Sequence, residues 1–148
     1  KYGEEQVREW RRSYDILPPA LNQNDARSAV AQSMYRDVNP NELPSSESLE
    51  TTVARVVPYF NKVIKKDMMA GKRVIIAAHG NSLRALVKYF DKLSEEDIVN
   101  VNIPTGVPLV YEFDAQGNPL HHRYLGDPRL LKQKMEAVAN QGKKAIGV

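Results

Sequence analysis

Apolar residues recur at helical spacing through one long stretch in the middle of the chain. Leu49, Val53, Val56, Val57, Phe60, Val63 and Ile64 fall on one face, with Glu47 and Glu50 near the start and Lys65, Lys66 and Gly71 at the end. The pattern predicts an amphipathic helix, capped by Ser45 or Ser46, that packs on a sheet. Pro58 lies inside it and should kink it, at a cost of about 3 kcal/mol in an unsupported helix interior. The next stretch has a different character. Arg73 to Ala78 is short, apolar and rich in Val and Ile, with no polar alternation, as a parallel strand covered on both faces would be. Gly80, Asn81 and Ser82 turn the chain into a second helix that runs to about Phe90.

Toward the N-terminus, Gly3 to about Tyr14 reads as a charged helix around Trp10, and Pro18 and Pro19 mark its end. Asp15 to Pro44 carries four prolines and no sustained period, so it is expected to be a long ordered loop with short helical turns. Beyond the central helices, Ser94 opens a short third one in the manner of a capping box. A loop follows from Asn102 to Pro108. Leu109 to Phe113 and Leu120 to Leu125 read as antiparallel strands joined by a turn at Asp114 to Asn118. Asp127 caps a last helix with Pro128 at its first position. From about residue 140 onward the residues are small and polar, with Lys143 and Lys144, which suggests a mobile tail.

Composition narrows the function classes. The length of 148 residues suits one domain, and 42% hydrophobic with 26% charged residues is ordinary for a soluble protein. No apolar run approaches the ~20 residues of a membrane-spanning helix, and no secretory signal opens the chain. The chain has no cysteine, which excludes disulfides and thiolate–metal sites. The net charge is +3, and the bases are interspersed with acids rather than set in a stripe with aromatics. That argues against a nucleic-acid partner and suits small anionic substrates.

The candidate chemistry sits where the apolar run ends. His79 stands at its carboxyl end, beside a helix start whose unpaired N–H groups and positive dipole end favour a phosphate or carboxylate. Each candidate has a plainer reading. A single histidine at a strand end is more often a hydrogen-bonded rim residue, and Arg11 and Arg12 beside Trp10 could be a solvated helix face. Ser82 lacks a Gly-x-Ser-x-Gly elbow and reads as a helix cap. Arg84 has two readings, contact with the phosphate or, favoured by its third helical position, pointing away and pairing with an acid. His121 and His122 are adjacent in a strand, one exposed and one buried, and therefore cannot chelate one metal together.

The phrase from Arg73 to Arg84, together with Asn102 to Asp114, closely resembles the cofactor-dependent phosphoglycerate mutases of the histidine phosphatase superfamily. The resemblance extends to Tyr2-Gly3, the Trp10-Arg11-Arg12 triplet, Leu43 to Leu49, Pro58-Tyr59-Phe60 and Asn140-Gln141-Gly142, so nearly every residue has a counterpart. It implies a three-layer α/β fold with a mostly parallel sheet flanked by helices. It also implies interconversion of 3-phosphoglycerate and 2-phosphoglycerate through a phosphohistidine, primed by 2,3-bisphosphoglycerate and without a metal. By resemblance, His79 is the second histidine of the site, stabilising the transferring phosphoryl group. Gly80 and Asn81 bind phosphate oxygens, mainly through backbone N–H groups, while Arg11 and Arg12 clamp the substrate's carboxylate and second phosphate.

The family's Arg-His-Gly-Glu strand, whose histidine is the nucleophile, has no match here. The resemblance therefore implies that residues 1–148 form the C-terminal portion of a single domain whose N-terminal central strand is missing from the chain, with an N-terminal segment of the same enzyme as its partner. The chain alone would then be inactive. A cytoplasmic dimer or tetramer is the family tendency. Two other readings stay open: a non-catalytic module that binds phosphate ligands, and a phosphatase of the same superfamily.

Overall fold

The computed structural model describes residues 2–141. The expected mobile tail lies almost wholly outside them, as do Lys143 and Lys144. The first helix, α1 (Glu4–Arg12), carries Glu4 and Glu5 in its first turn and Arg11 and Arg12 in its last, matching the helix dipole at both ends. The proline-bearing segment after it is an irregular loop with three short 3₁₀ turns, at Ala29–Ala31, Ser33–Tyr35 and Pro40–Glu42.

The amphipathic stretch forms α2 (Leu49–Tyr59), but its cap is Ser48 and not Ser45 or Ser46. Ser48 accepts a hydrogen bond from the Thr51 backbone N–H, while the Thr51 hydroxyl accepts one from the Ser48 N–H. This reciprocal box satisfies two orphan donors at once, which an earlier serine could not do. Pro58 cannot donate a backbone hydrogen bond, and the helix accommodates it by widening. Phe60–Ile64 form a π-helical turn, with the Asn61 side-chain amide donating to the Val57 carbonyl at 3.1 Å, before α3 (Lys65–Met69) resumes.

After α4 (Gly80–Asp91) and the short α5 (Glu95–Ile98), capped by Ser94, the chain forms a hairpin. Strands β1 (Leu109–Phe113) and β2 (Pro119–Tyr124) pair antiparallel with Leu109 opposite Tyr124 and Glu112 opposite His121. Asp127 caps α6 (Pro128–Ala139) through the N–H groups of Arg129 and Leu130.

Two small apolar clusters hold the central helices and the hairpin together. Leu49, Ala85 and Ile98 form one, where α2, α4 and α5 meet. Phe60, Leu86 and Phe90 form the other, with Tyr111 and Phe113 of the hairpin packed against it. Val56 touches both. The Phe60 and Phe90 rings meet edge to face, with centroids 4.8 Å apart. The apolar face of α2 therefore packs chiefly on α4, while Phe60, just past its end, stacks on Phe113 of the hairpin.

The main departure from expectation concerns Arg73 to Ala78. The chain is α/β, with helices and a small antiparallel sheet, and among the described residues this hairpin is the only sheet. The mostly parallel three-layer arrangement does not occur among them. Arg73 to Ala78 has no strand pairing and makes no backbone hydrogen bond there. Ile76 tucks against the Phe60 cluster, whereas Ile75 is 94% exposed and Val74 is 38% exposed. The physical reason is direct. A parallel strand takes its backbone partners from neighbouring strands, and no described residue supplies one.

Candidate functional site

His79 caps α4. Its backbone is extended, and its Nδ1 accepts from the Asn81 N–H at 3.3 Å, so the cap is the imidazole rather than Ser82. Ser82 instead lies in the first turn of the helix. With Nδ1 accepting, the proton of the neutral ring resides on Nε2, which becomes a donor. Among the described residues the backbone N–H groups of Gly80 and Ser82 have no acceptor. His79 and Gly80 are exposed, and a Cβ placed on Gly80 would meet nothing within 4 Å. Nothing in the described packing requires glycine at this position. Its lack of a side chain leaves two free donors, a ring N–H and the positive end of α4 open to an incoming anion.

Arg11 and Arg12 lie at the end of α1. Arg11 donates to Oε1 of Gln141 at 2.9 Å. Arg12 is half-buried and donates to Oδ1 of Asn102 at 2.6 Å and to the Val138 carbonyl at 2.9 Å. The pair borders a cleft of about 580 Å³ whose walls include Arg8, Asn102, Glu4 and Glu5. Burial, and then repulsion from Arg11 and Arg8, lower the Arg12 pKa from its usual value.

Arg84 overturns its favoured sequence reading. It neither points away nor pairs with an acid. It is only 5% exposed, its Nη2 donates to the Ile98 carbonyl at 2.8 Å and its Nη1 to Oδ1 of Asn81 at 3.3 Å. Burial and then the neighbouring Arg12 lower its pKa to about 10, so it stays charged at neutral pH. Arg8, Arg11, Arg12 and Arg84 form no salt bridge among the described residues. The result is a local excess of positive charge.

The structure thus gathers the expected residues into two groups. His79, Gly80 and Asn81 form one at the start of α4. Arg11 and Arg12 form the other at the end of α1. No direct contact joins them, and His79 does not line the Arg11–Arg12 cleft. The connection runs through Arg84, which bonds Asn81 and faces the charge of Arg12, and through the segment from Ile98 to Asn102, which both arginines grip. Asn102 and Gln141 are partners that sequence reasoning did not single out. Asn102 opens the Asn102-to-Pro108 phrase and Gln141 lies in the Asn140-Gln141-Gly142 triplet, which were the available signals.

The histidine pair lies elsewhere. His121 faces Glu112 at 3.5 Å and His122 faces Asp91 at 3.4 Å. Both are exposed, against the expectation that one would be buried. The Tyr111 ring covers part of His122, with centroids 4.8 Å apart, without closing over it. Among the described residues no group of three or more His, Asp or Glu side chains is placed to hold a metal ion, and no helix is long and apolar enough to cross a membrane.

The sequence profile of the histidine phosphatase superfamily (branch 1) matches residues 5–124. A 2,3-bisphosphoglycerate-dependent phosphoglycerate mutase of Treponema denticola is 60% identical over 144 residues, covering 97% of this chain and 58% of its own length. The enzyme of the same name from Lachnoclostridium phytofermentans is 60% identical over 146 residues, 99% of this chain and 59% of the relative. That of Borreliella burgdorferi is 57% identical over 143 residues, 97% and 58% respectively. The chain therefore spans somewhat under three fifths of the length of these relatives.

Proposed function

The chain belongs to the histidine phosphatase superfamily, branch 1, and on that premise we propose that it supplies the phosphate- and carboxylate-binding part of a phosphoglycerate mutase. The reaction is the glycolytic interconversion of 3-phosphoglycerate and 2-phosphoglycerate through a phosphohistidine. The nucleophile would come from an N-terminal segment of the same enzyme, and 2,3-bisphosphoglycerate would supply the phosphoryl group that primes it. Residues 1–148 are the C-terminal portion of the domain, acting in a cytoplasmic dimer or tetramer.

One observation carries the reading: an imidazole-capped, unobstructed helix start lies one buried guanidinium away from an arginine pair that has no carboxylate partner among the described residues. In this role Nε2 of His79, the N–H groups of Gly80 and Ser82 and the side-chain NH2 of Asn81 hold the oxygens of the transferring phosphoryl group. They supply charge stabilisation where it develops. Arg11 and Arg12 orient the rest of the substrate by binding its carboxylate and second phosphate. This donor set fits a ligand rich in anionic oxygens and uses no metal. The exposed edge at Val74 and Ile75 supports the partner assignment, because an apolar extended segment without backbone partners is where another strand would add.

The test is complementation. The chain is mixed with the N-terminal part of the Treponema denticola relative that it does not cover, and 3-phosphoglycerate is followed by ³¹P NMR. Conversion is expected from the mixture and from neither piece alone, and His79→Ala should abolish most of it. Conversion unchanged by His79→Ala would remove that residue from the mechanism.

A second reading is a phosphate-binding module without catalysis. It is favoured by the location of the only other histidines, His121 and His122, on the hairpin beside Glu112 and Asp91. Saturable bisphosphoglycerate binding, with no phosphohistidine formed in the mixture, would select it.

A further inference from the structure

An Asn side chain can present either its carbonyl or its NH2 to a ligand, and which one it presents is set by the group that holds the other end. Here that group is Arg84. Its Nη1 donates to Oδ1 of Asn81 while its Nη2 is anchored on the Ile98 carbonyl, and its Nε is buried with no partner among the described residues. Among the described residues the Asn81 side chain has no other partner, so its NH2 is left as an uncommitted donor beside the N–H groups at the start of α4. A buried charge without a carboxylate calls for a reason, since burial alone penalises it. Burial of the aliphatic stem alone does not supply one, because an apolar side chain of similar length carries no charge to desolvate.

We propose that Arg84 is a positioning residue of the anion site: its planar fork spans Asn81 and the Ile98 carbonyl and fixes the Asn81 amide with its NH2 toward the ligand. This rests on the reading that the His79–Asn81 turn receives a phosphoryl group. Arginine is required because its guanidinium bonds two acceptors in fixed geometry, whereas lysine offers one compact charge. The same anchor on Ile98 ties the turn to the segment whose Asn102 holds Arg12, so the two halves of the site share one support.

The experiment uses the full 148-residue chain and the variants Arg84→Met, Arg84→Lys, Asn81→Ala and the double variant Arg84→Met/Asn81→Ala. Isothermal titration with 2,3-bisphosphoglycerate gives affinities, and ¹⁵N NMR of the ligand-free chain follows the Asn81 side-chain NH2. Arg84→Met is expected to weaken binding about tenfold or more, the scale of one lost charge-assisted hydrogen bond. It should also move the Asn81 NH2 resonances. The double variant should bind no worse than the weaker single variant, because Arg84 acts through Asn81.

Arg84→Lys keeps the charge but not the fork. It should move the same resonances with a smaller loss of affinity, and it is the variant to read should Arg84→Met not fold. Unmoved Asn81 resonances, or losses that multiply in the double variant, would overturn the proposal. Absence of bisphosphoglycerate binding by the unmodified chain would instead count against the proposed function, with the ligand-free spectra still deciding the role of Arg84.

Discussion

Ile75 offers the sharpest separation between what this chain does alone and what it does in an assembly. In an ordinary central strand, replacing the middle isoleucine of Val74-Ile75-Ile76 with lysine would be among the most damaging changes available. Here Ile75 is 94% exposed and its backbone has no hydrogen-bonded neighbour among the described residues, so almost no apolar surface is buried there to lose. Ile75→Lys should leave the stability of the chain within about 0.5 kcal/mol of the unmodified protein, the range typical of surface substitutions. Docking of a further strand and its covering layer would bury that side chain. Full burial of an isoleucine contributes ~1.5–3 kcal/mol, so the lysine should weaken association with the complementing segment by at least about 10- to 100-fold. Urea unfolding of the chain alone measures the first quantity, and the concentration of segment giving half-maximal conversion measures the second. Loss of more than ~1.5 kcal/mol in the isolated chain, outside the surface range, would mean that Ile75 is covered in solution and the edge reading is mistaken. Unchanged complementation would show that the segment docks elsewhere.

Two further outcomes are expected. Gly80→Ala should fold normally or gain about 0.5 kcal/mol, since the methyl meets open space in a helical position; calorimetry should nevertheless show weaker bisphosphoglycerate binding, and equal affinity would dissociate Gly80 from the anion site. Tyr111 is half-buried and donates to Asp91 at 3.1 Å, and burial followed by the Asp91 charge raises its pKa far above the usual tyrosine range. Folding therefore favours the neutral phenol: its contribution is complete below pH ~10, the unfolded value, and is lost as pH rises through the higher folded value. Tyr111→Phe should cost about 1 kcal/mol at neutral pH and flatten the alkaline decline, and an unaltered decline in denaturation midpoints would refute the assignment.

Local signals carried the sequence reading wherever the chain is its own partner. The spacing of Leu49, Val53, Val56 and Phe60 located α2 and its buried face, Asp127-Pro128 located the start of α6, and the turn at Asp114 to Asn118 located the hairpin. Failures occurred where the answer depended on a partner that the residue itself does not name. The cap moved to Ser48 because Thr51 returns its hydrogen bond, a reciprocity that a cap ranking does not contain. Arg84 was misread because helical position gives direction but not what α5 places there, namely the Ile98 carbonyl. The strand expected at Arg73 to Ala78 has the right composition, but strand pairing belongs to two segments and composition describes one. At the candidate site, the helix start beside His79, Gly80 and Asn81 was legible from the apolar run and the turn after it. The support that relates them to Arg12 was not, since Asn102 lies 90 residues from Arg12 in sequence.

Val56, the residue common to both apolar clusters, has a consequence for how the molecule comes apart. Neither cluster is large enough to persist as an island once the other has opened, and the side chain that joins them sits mid-helix, where α2 meets α4. Heat or urea therefore meets a single cooperative block, and amide exchange near Val56 should proceed only through global opening, while the ends of α1 and α6 exchange through local fraying.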